Sequence, residues 1–355
     1  LYRNAINYPK ENYQFFRNFL TMTSINELTQ TAVSTQIPVI DFHPFIAGDS
    51  SAKAAVANQI SRAIQEVGCF YLKNGVRQNS IDQAFAQAER FFALPLEEKQ
   101  KVASAVTGRS RGYIPFEKMF IGNQPGQLHE SFSFANELDP NKAGVDSYAE
   151  ALDVPNQWPQ NPPEFRQVME QFFFACQESA LSVLEALAIA LQLPSSYFTK
   201  LHSQQNHAGV FNYYPNISQA PKTGQTRFYE HTDLGSITLL FQDQGGGLEV
   251  YTPTGEWITT SSVPDTVLVM PADMMSRWTN DKLCAAPHRV SVPNDFKAVK
   301  ERYSFSFFVI PNYDVEVTCL ESCLKADESP KYTPTFVGDH LLNRTNDRAT
   351  KYGRS

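Results

Sequence analysis

From about residue 208 to residue 310 the chain is a succession of short strand-like runs, and that density leaves few architectures open. GVFNYY, SITLLFQD, GLEVYT, EWITT, TVLVM, CAAPHRVSV and RYSFSFFVI are apolar or alternating, and Gly, Pro, Asn and Asp separate them. A short strand buries its apolar face only by joining a sheet that packs on another layer. The pattern predicts a β-sandwich or barrel braced by helices, because no strand–helix alternation marks a βαβ repeat.

The preceding half supplies the helices. IPVIDF, from Ile37, reads as a short strand, and SAKAAVANQISRAIQEVG carries apolar residues at 56, 60, 64 and 67 before stopping at Gly68. CFYLKN is a second strand, a further helix spans about 79–92, and LPLEEKQ opens another with a proline and first-turn acids. Residues 161–193 predict a long helix that is apolar around most of its circumference, a buried buttress. Its most apolar part contains Glu185 and stops at Pro194, short of the ~20 apolar residues of a membrane span. The Gly-, Pro- and Asn-rich region 106–162, with RGYIPF and HESFSFA inside it, reads as loops lining a binding site. The division is an N-terminal extension (1–36), a helical region (37–205), a β core (206–315) and a C-terminal tail or lid (316–355), expected as one structural unit. Met22 reads as a natural start and 1–21 as an extension.

Charge narrows the partners. With 30 Lys and Arg against 37 Asp and Glu, and no long basic run, nothing suggests a groove that tracks phosphates. Five cysteines are odd in number and too sparse for a disulfide scaffold, which favours a reducing compartment. The opening LYRNAINYPKENYQFF has no apolar signal core. The expectation is a cytoplasmic monomer acting on a small molecule, with no nucleic-acid or membrane partner.

Within the strand-rich half, RFYEHTDLGS places His231 and Asp233 at i and i+2, on one face if the strand is regular. His288, in CAAPHRVSV, is the best candidate for a third ligand, with His129 in reserve. Two imidazoles and one carboxylate on one side of a metal leave the other side open, as in non-haem Fe(II) oxygenases. Hydrolytic zinc sites can use the same donors and stay a rival, although there is no HExxH. In ERYSFSFF, Arg302 and Ser304 are again i and i+2. A buried arginine needs an anion, and its planar fork suits a carboxylate, so this pair fits an acidic cosubstrate beside the metal. A structural ion pair is the competing reading. The three glycines at 245–247 lack a phosphate-loop context and read as a tight turn.

HTDLGSITLLFQ, SRWTNDKLCAAPHRVSVP and ERYSFSFF resemble the core of the Fe(II)- and 2-oxoglutarate-dependent oxygenases. IPVIDF, CFYLKNGV and FNYYPN are similar to signatures of its isopenicillin N synthase-like branch, which includes plant-type oxygenases and fungal thymine hydroxylase. The likeness runs from about 37 to 315. It implies a mixed α/β chain with a mainly β core, a double-stranded β-helix (jelly roll) braced by N-terminal helices.

The resemblance also implies Fe(II), 2-oxoglutarate and O₂ as cofactor and cosubstrates. His231, Asp233 and His288 would ligate iron, Arg302 and Ser304 would hold the distal carboxylate of 2-oxoglutarate, and Asn212 and Tyr214 would steady the end nearer the metal. Asp233 stands where related halogenases have a small residue, which argues against halogenation. The expected outcome is hydroxylation, desaturation or ring closure at an unactivated C–H, in specialised metabolism. A 2-oxoglutarate-independent oxidase and an inactive ligand-binding relative are the alternatives. Tyr113, Phe116, Phe132, Phe134, Phe211, Arg227 and Phe308 are the expected substrate-pocket residues.

Overall fold

The computed structural model describes residues 36–104, 111–119, 124–137, 148, 152, 154–293 and 295–351. The extension up to residue 35 and parts of the 106–162 region lie outside the described residues.

The helices form where their ends are marked. Helix α1 (Ser50–Val67) starts where the Asp49 carboxylate accepts the Ala52 N–H at 2.9 Å, and ends at Gly68, whose φ of 88° suits a residue without Cβ. Helix α2 (Gln78–Phe92) follows, and α3 (Phe165–Ala190) is the buttress, 26 residues long. That is longer than its most apolar part suggested, and long and apolar enough to cross a membrane by composition. Instead its face is spent on the protein: Phe172 lies 5.1 Å from Phe241 and 4.9 Å from Phe305, and Phe173 lies 4.8 Å from Phe307, ring centre to ring centre.

Among the described residues, fourteen strands make three sheets. They are β1 (Val39–Asp41), β2 (Phe70–Lys73), β3 (Gly112–Ile114), β4 (Glu130–Ala135), β5 (Ala208–Tyr214), β6 (Phe228–His231) and β7 (Ile237–Gln242), followed by β8 (Leu248–Tyr251), β9 (Trp257–Thr259), β10 (Thr266–Pro271), β11 (His288–Val290), β12 (Arg302–Val309), β13 (Glu316–Val317) and β14 (Thr335–Phe336). The large sheet runs β1-β2-β10-β7-β12-β5-β4-β3, the small one β6-β11-β8-β9, and β13 pairs with β14. Two later helices, α4 (Asp273–Thr279) and α5 (Val337–Lys351), follow β10 and β14.

The mixed α/β class holds, but the double-stranded β-helix does not. Among the described residues the large sheet ends at β1 and β3 and the small sheet at β6 and β9, so neither closes and no curled barrel forms. Counting strand-like runs reveals how many strands exist but not which edges pair. Here β1 and β2 join in parallel and extend the large sheet, where a closed barrel would need its edges to meet.

Alternation gives the large sheet two different faces. Phe132, Phe134, Phe211, Phe305 and Phe307 point to the helical side and are buried in the main core. The opposite face carries Ser131, Asn212, Ser304 and Gln242 in one row across β4, β5, β12 and β7, with Ser133, Val210, Ser306 and Leu240 in the next. One side of the sheet is therefore an aromatic core and the other a polar wall.

Candidate active site

The polar wall closes one side of a cavity of about 270 Å³, and the small sheet brings two histidines to it. His231 ends β6 and His288 begins β11, and the two are directly opposite in the antiparallel ladder. Asp233 follows His231 in the turn to β7. That turn lies close on β12 because residue 235 is glycine: a Cβ there would sit 2.3 Å from the Val309 carbonyl oxygen. The Asp233 carbonyl accepts the Asp273 N–H at 2.9 Å, which fixes the turn from α4.

The donor atoms converge. One atom from each of His231, Asp233 and His288 lies within 4.8 Å of the others. Asp233 Oδ1 is 3.5 Å from His231 Nε2 and 3.8 Å from His288 Nε2. His231 Nδ1 donates to the Tyr229 carbonyl at 2.8 Å, and His288 Nδ1 to the Ala286 carbonyl at 3.0 Å. With Nδ1 protonated by these bonds, each Nε2 keeps a lone pair facing the carboxylate, the tautomer a metal requires. Thr238 Oγ1 donates to the other carboxylate oxygen, Asp233 Oδ2, at 2.6 Å.

Electrostatics agree with the geometry. Burial pushes the pKa of His288 down to about 4, the nearby His231 adding to the effect. Burial alone would raise Asp233, but the two histidines and the Thr238 hydroxyl outweigh it and hold the carboxyl below its ordinary range. The site thus offers two imidazole Nε2 atoms and one carboxylate, a donor set that fits Fe(II) with open positions. Among the described residues Asp233 is the one carboxylate lining the cavity, so a hydrolytic zinc centre would lack a separate general base.

Arg302 and Ser304 project from β12 onto the same wall and line the same cavity. Arg302 is 1% exposed, yet it makes no ion pair with a described acid. One terminal nitrogen donates to Ser304 Oγ at 2.8 Å, the other to Gln242 Oε1 at 3.2 Å, and Nε has no partner among the described residues. The structural ion pair considered from the sequence is absent there, and a buried cation is left facing polar atoms only. Tyr214 lies beneath it, with the guanidinium 4.9 Å from the ring centre, and Asn212, two residues earlier on β5, lines the cavity as well. Burial raises the Tyr214 phenol, so it stays a neutral hydroxyl.

The substrate-pocket expectations divide by strand phase. Phe308 lines the cavity. Tyr113, Phe132, Phe134 and Phe211 do not: they lie on the helical face of the sheet, and their neighbours Ile114, Ser131, Ser133, Val210 and Asn212 face the cavity instead. Tyr113 donates to Glu130 at 2.7 Å, beside Lys99. Phe116 sits 38% exposed in a turn outside the lining. Arg227 is not among the residues that line the cavity. It is buried beside Tyr214 and donates to the carbonyls of Tyr214 at 3.0 Å and Lys300 at 3.1 Å. His129 is a core residue against Phe228 rather than a ligand. The glycine run is the turn from β7 to β8, where a Cβ at Gly245 would come 2.7 Å from Arg302 Cβ.

Sequence reasoning passed over Thr238, Leu240 and Gln242. They alternate along SITLLFQD, and that period was the available signal. Met119, Gln127 and Leu341 also reach the cavity, from irregular chain and from the C-terminal helix, where no period points to them.

Comparison with known proteins matches this geometry. Residues 37–161 match the family described as non-haem dioxygenase in morphine synthesis N-terminal, and 205–311 match the 2OG-Fe(II) oxygenase superfamily. A proline hydroxylase of Petromyces alliaceus is 35% identical over 84% of this chain and 94% of its own length. A 2-oxoglutarate-Fe(II) type oxidoreductase of Emericella nidulans is 33% identical over 86% of this chain and 88% of its own. A full-length Neurospora crassa protein, solved in complex with alpha-KG, superposes with a TM-score of 0.77 at 30% identity, covering 88% of this chain and 96% of that one. On the converging triad and these matches together, the chain belongs to the Fe(II)- and 2-oxoglutarate-dependent oxygenase superfamily.

Proposed function

We propose that this enzyme, in the isopenicillin N synthase-like branch, hydroxylates an unactivated C–H of a small molecule held within the cavity. The observation that carries the proposal is Arg302: buried, without an acid partner among the described residues, and lining the same cavity as the iron ligands. A 2-oxoglutarate dianion answers both needs, with its distal carboxylate on Arg302 and Ser304 and its inner end beside Asn212 and Tyr214. Among the relatives, the proline hydroxylase and the Neurospora crassa complex with alpha-KG and thymine support a small-molecule substrate.

Bound Fe(II) supplies activation of O₂, coupled to decarboxylation of 2-oxoglutarate to succinate and CO₂. The chain supplies placement. His231, Asp233 and His288 would hold the metal at the cavity. Thr238 and the two backbone carbonyls keep the three donors from rotating. Arg302 would hold the distal carboxylate of the cosubstrate, for which its planar fork is better suited than a lysine ammonium. Leu234, Ile310 and Phe308 give that end of the cavity an apolar lining that limits water around the reacting C–H.

The test is stoichiometry with the Fe(II)-loaded protein. One succinate should form for each oxidised product, and none without 2-oxoglutarate. Product that accumulates without succinate would overturn the reading.

A further inference from the structure

We infer that Gln127 is a substrate-recognition residue, and that the substrate is uncharged and carries an amide-type N–H and C=O, as in a lactam, cyclic imide or primary amide. This rests on the oxygenase reading above and deepens it.

Gln127 is 2% exposed and lines the cavity. Its backbone is fully used: its N–H donates to the Met119 carbonyl at 2.8 Å, and its carbonyl accepts from Glu117 and His129. Its side chain is not. Among the described residues Oε1 is buried without a partner, and the amide nitrogen donates to none of them. A buried amide oxygen without a donor among the described residues is costly, and an N–H of a ligand in the cavity would pair with it. Ser131 stands at the same corner. Among the described residues its hydroxyl meets the Met119 sulfur at 3.9 Å, so Met119 has the Gln127 backbone on one side and a second weakly paired polar group on the other.

The charges in the cavity are already committed. Three charged residues line it among those described: Asp233, Arg302 and Arg289. Asp233 belongs to the metal and Arg302 to the cosubstrate. Arg289 is engaged by Glu249 at 2.8 Å, and its guanidinium covers the Trp257 ring at 3.9 Å. A substrate carboxylate or ammonium would enter without a counter-charge, which disfavours it. A carboxamide offers one donor and one acceptor in a plane, and the complementary ligand group presents the same pair reversed.

The experiment is a binding titration of the protein loaded with 2-oxoglutarate and Mn(II), read by calorimetry. The probes are a six-membered lactam and a cyclic imide, their N-methylated counterparts, and ring-matched carboxylate and amine compounds. The N–H compounds should bind about tenfold or more tightly than their N-methyl counterparts, and the charged compounds more weakly still. Gln127→Leu should erase the N–H preference, and Gln127→Glu should weaken lactam binding. Retained 2-oxoglutarate binding in each variant reports an intact fold. Equal binding of N-methyl probes, preference for a charged probe, no binding of any lactam or imide, or an unchanged ratio in Gln127→Leu would each overturn the inference. Loss of 2-oxoglutarate binding in the unmodified protein would instead sink the underlying oxygenase reading.

Discussion

His231 and His288 face each other across the β6–β11 ladder with ring centres 4.2 Å apart, and each spends its Nδ1 proton on a carbonyl two residues upstream. The second metal ligand is thus set by strand register, and a register slip would turn His288 out of the site. Replacing His288 with alanine should lower Fe(II) affinity by more than ~100-fold, beyond the range expected for outer-shell changes. The far-ultraviolet circular dichroism should be kept, because β11 pairs through its backbone. Wild-type metal affinity in an equilibrium titration would remove His288 from the centre.

Thr238 tests the support of the ligands. Its hydroxyl holds Asp233 Oδ2 at 2.6 Å in a fully buried position. Thr238→Val keeps the shape and removes the donor, so Fe(II) affinity should fall by ~10-fold or more, while Thr238→Ser should stay close to the parent. If valine and serine titrate alike, the hydroxyl does not position the carboxylate.

Three buried histidines outside the metal centre make stability depend on pH. Burial pushes His129 and His202 down to about 4 and His207 down to about 3. The ordinary value is 6.5. The folded state keeps them neutral, whereas the unfolded chain takes up protons below that value. Stability is therefore fully present above pH ~6.5 and is lost as pH falls toward ~4, by at most ~2 kcal/mol per histidine at pH 5. Melting temperature measured from pH 7 to pH 4.5 should drop steadily. A flat profile would show that these side chains do not titrate as their burial dictates.

The same strands show why some of the site was legible and some was not. His231 and Asp233, or Arg302 and Ser304, sit two apart in strand-like sequence, and a period of two puts such pairs on one face whichever face it is. Assigning the face is harder. In HESFSFA the phenylalanines looked like pocket lining, yet the cavity takes Ser131 and Ser133 because the helical layer claims the aromatic side. Arg227 fails for a related reason: it precedes β6, and the structure turns it toward the carbonyls of Tyr214 and Lys300. Sheet closure depends on edge pairing between distant segments, which local patterning does not encode.

Leu341 gives the C-terminal helix a role that can be measured. It lines the cavity from α5, and the neighbouring His340 Nε2 reaches Asp273 Oδ2 at 3.1 Å, tying that helix to α4. Leu341→Ala should enlarge the cavity and raise KM for the substrate, with KM for 2-oxoglutarate changed less than ~2-fold, because the residues proposed to hold the cosubstrate lie on the sheet wall rather than on α5. Parallel shifts in both constants would mean that the helix supports the whole site rather than the substrate end.

Arg227 and Arg302 lie 5.0 and 4.9 Å from the centre of the same Tyr214 ring, but their partners differ. Arg227 is spent on two backbone carbonyls, and burial lowers its pKa to about 10, which still leaves it charged at neutral pH. Arg302 meets neutral groups, the Ser304 hydroxyl, the Gln242 amide oxygen and the Tyr214 phenol, and it lines the cavity. Removing Arg302 should therefore act on the cosubstrate. Arg302→Ala loses a charge-assisted contact worth about 1.5–3 kcal/mol, so KM for 2-oxoglutarate should rise by roughly 10- to 150-fold. Arg302→Lys should recover only part of the loss, since an ammonium cannot make the paired contact. Arg227→Leu leaves two buried carbonyls short of a donor, so it should lower the melting temperature and change KM for 2-oxoglutarate far less. If both arginines moved that constant equally, the cosubstrate would be gripped through the Tyr214 stack as a whole, and the assignment to Arg302 would fail.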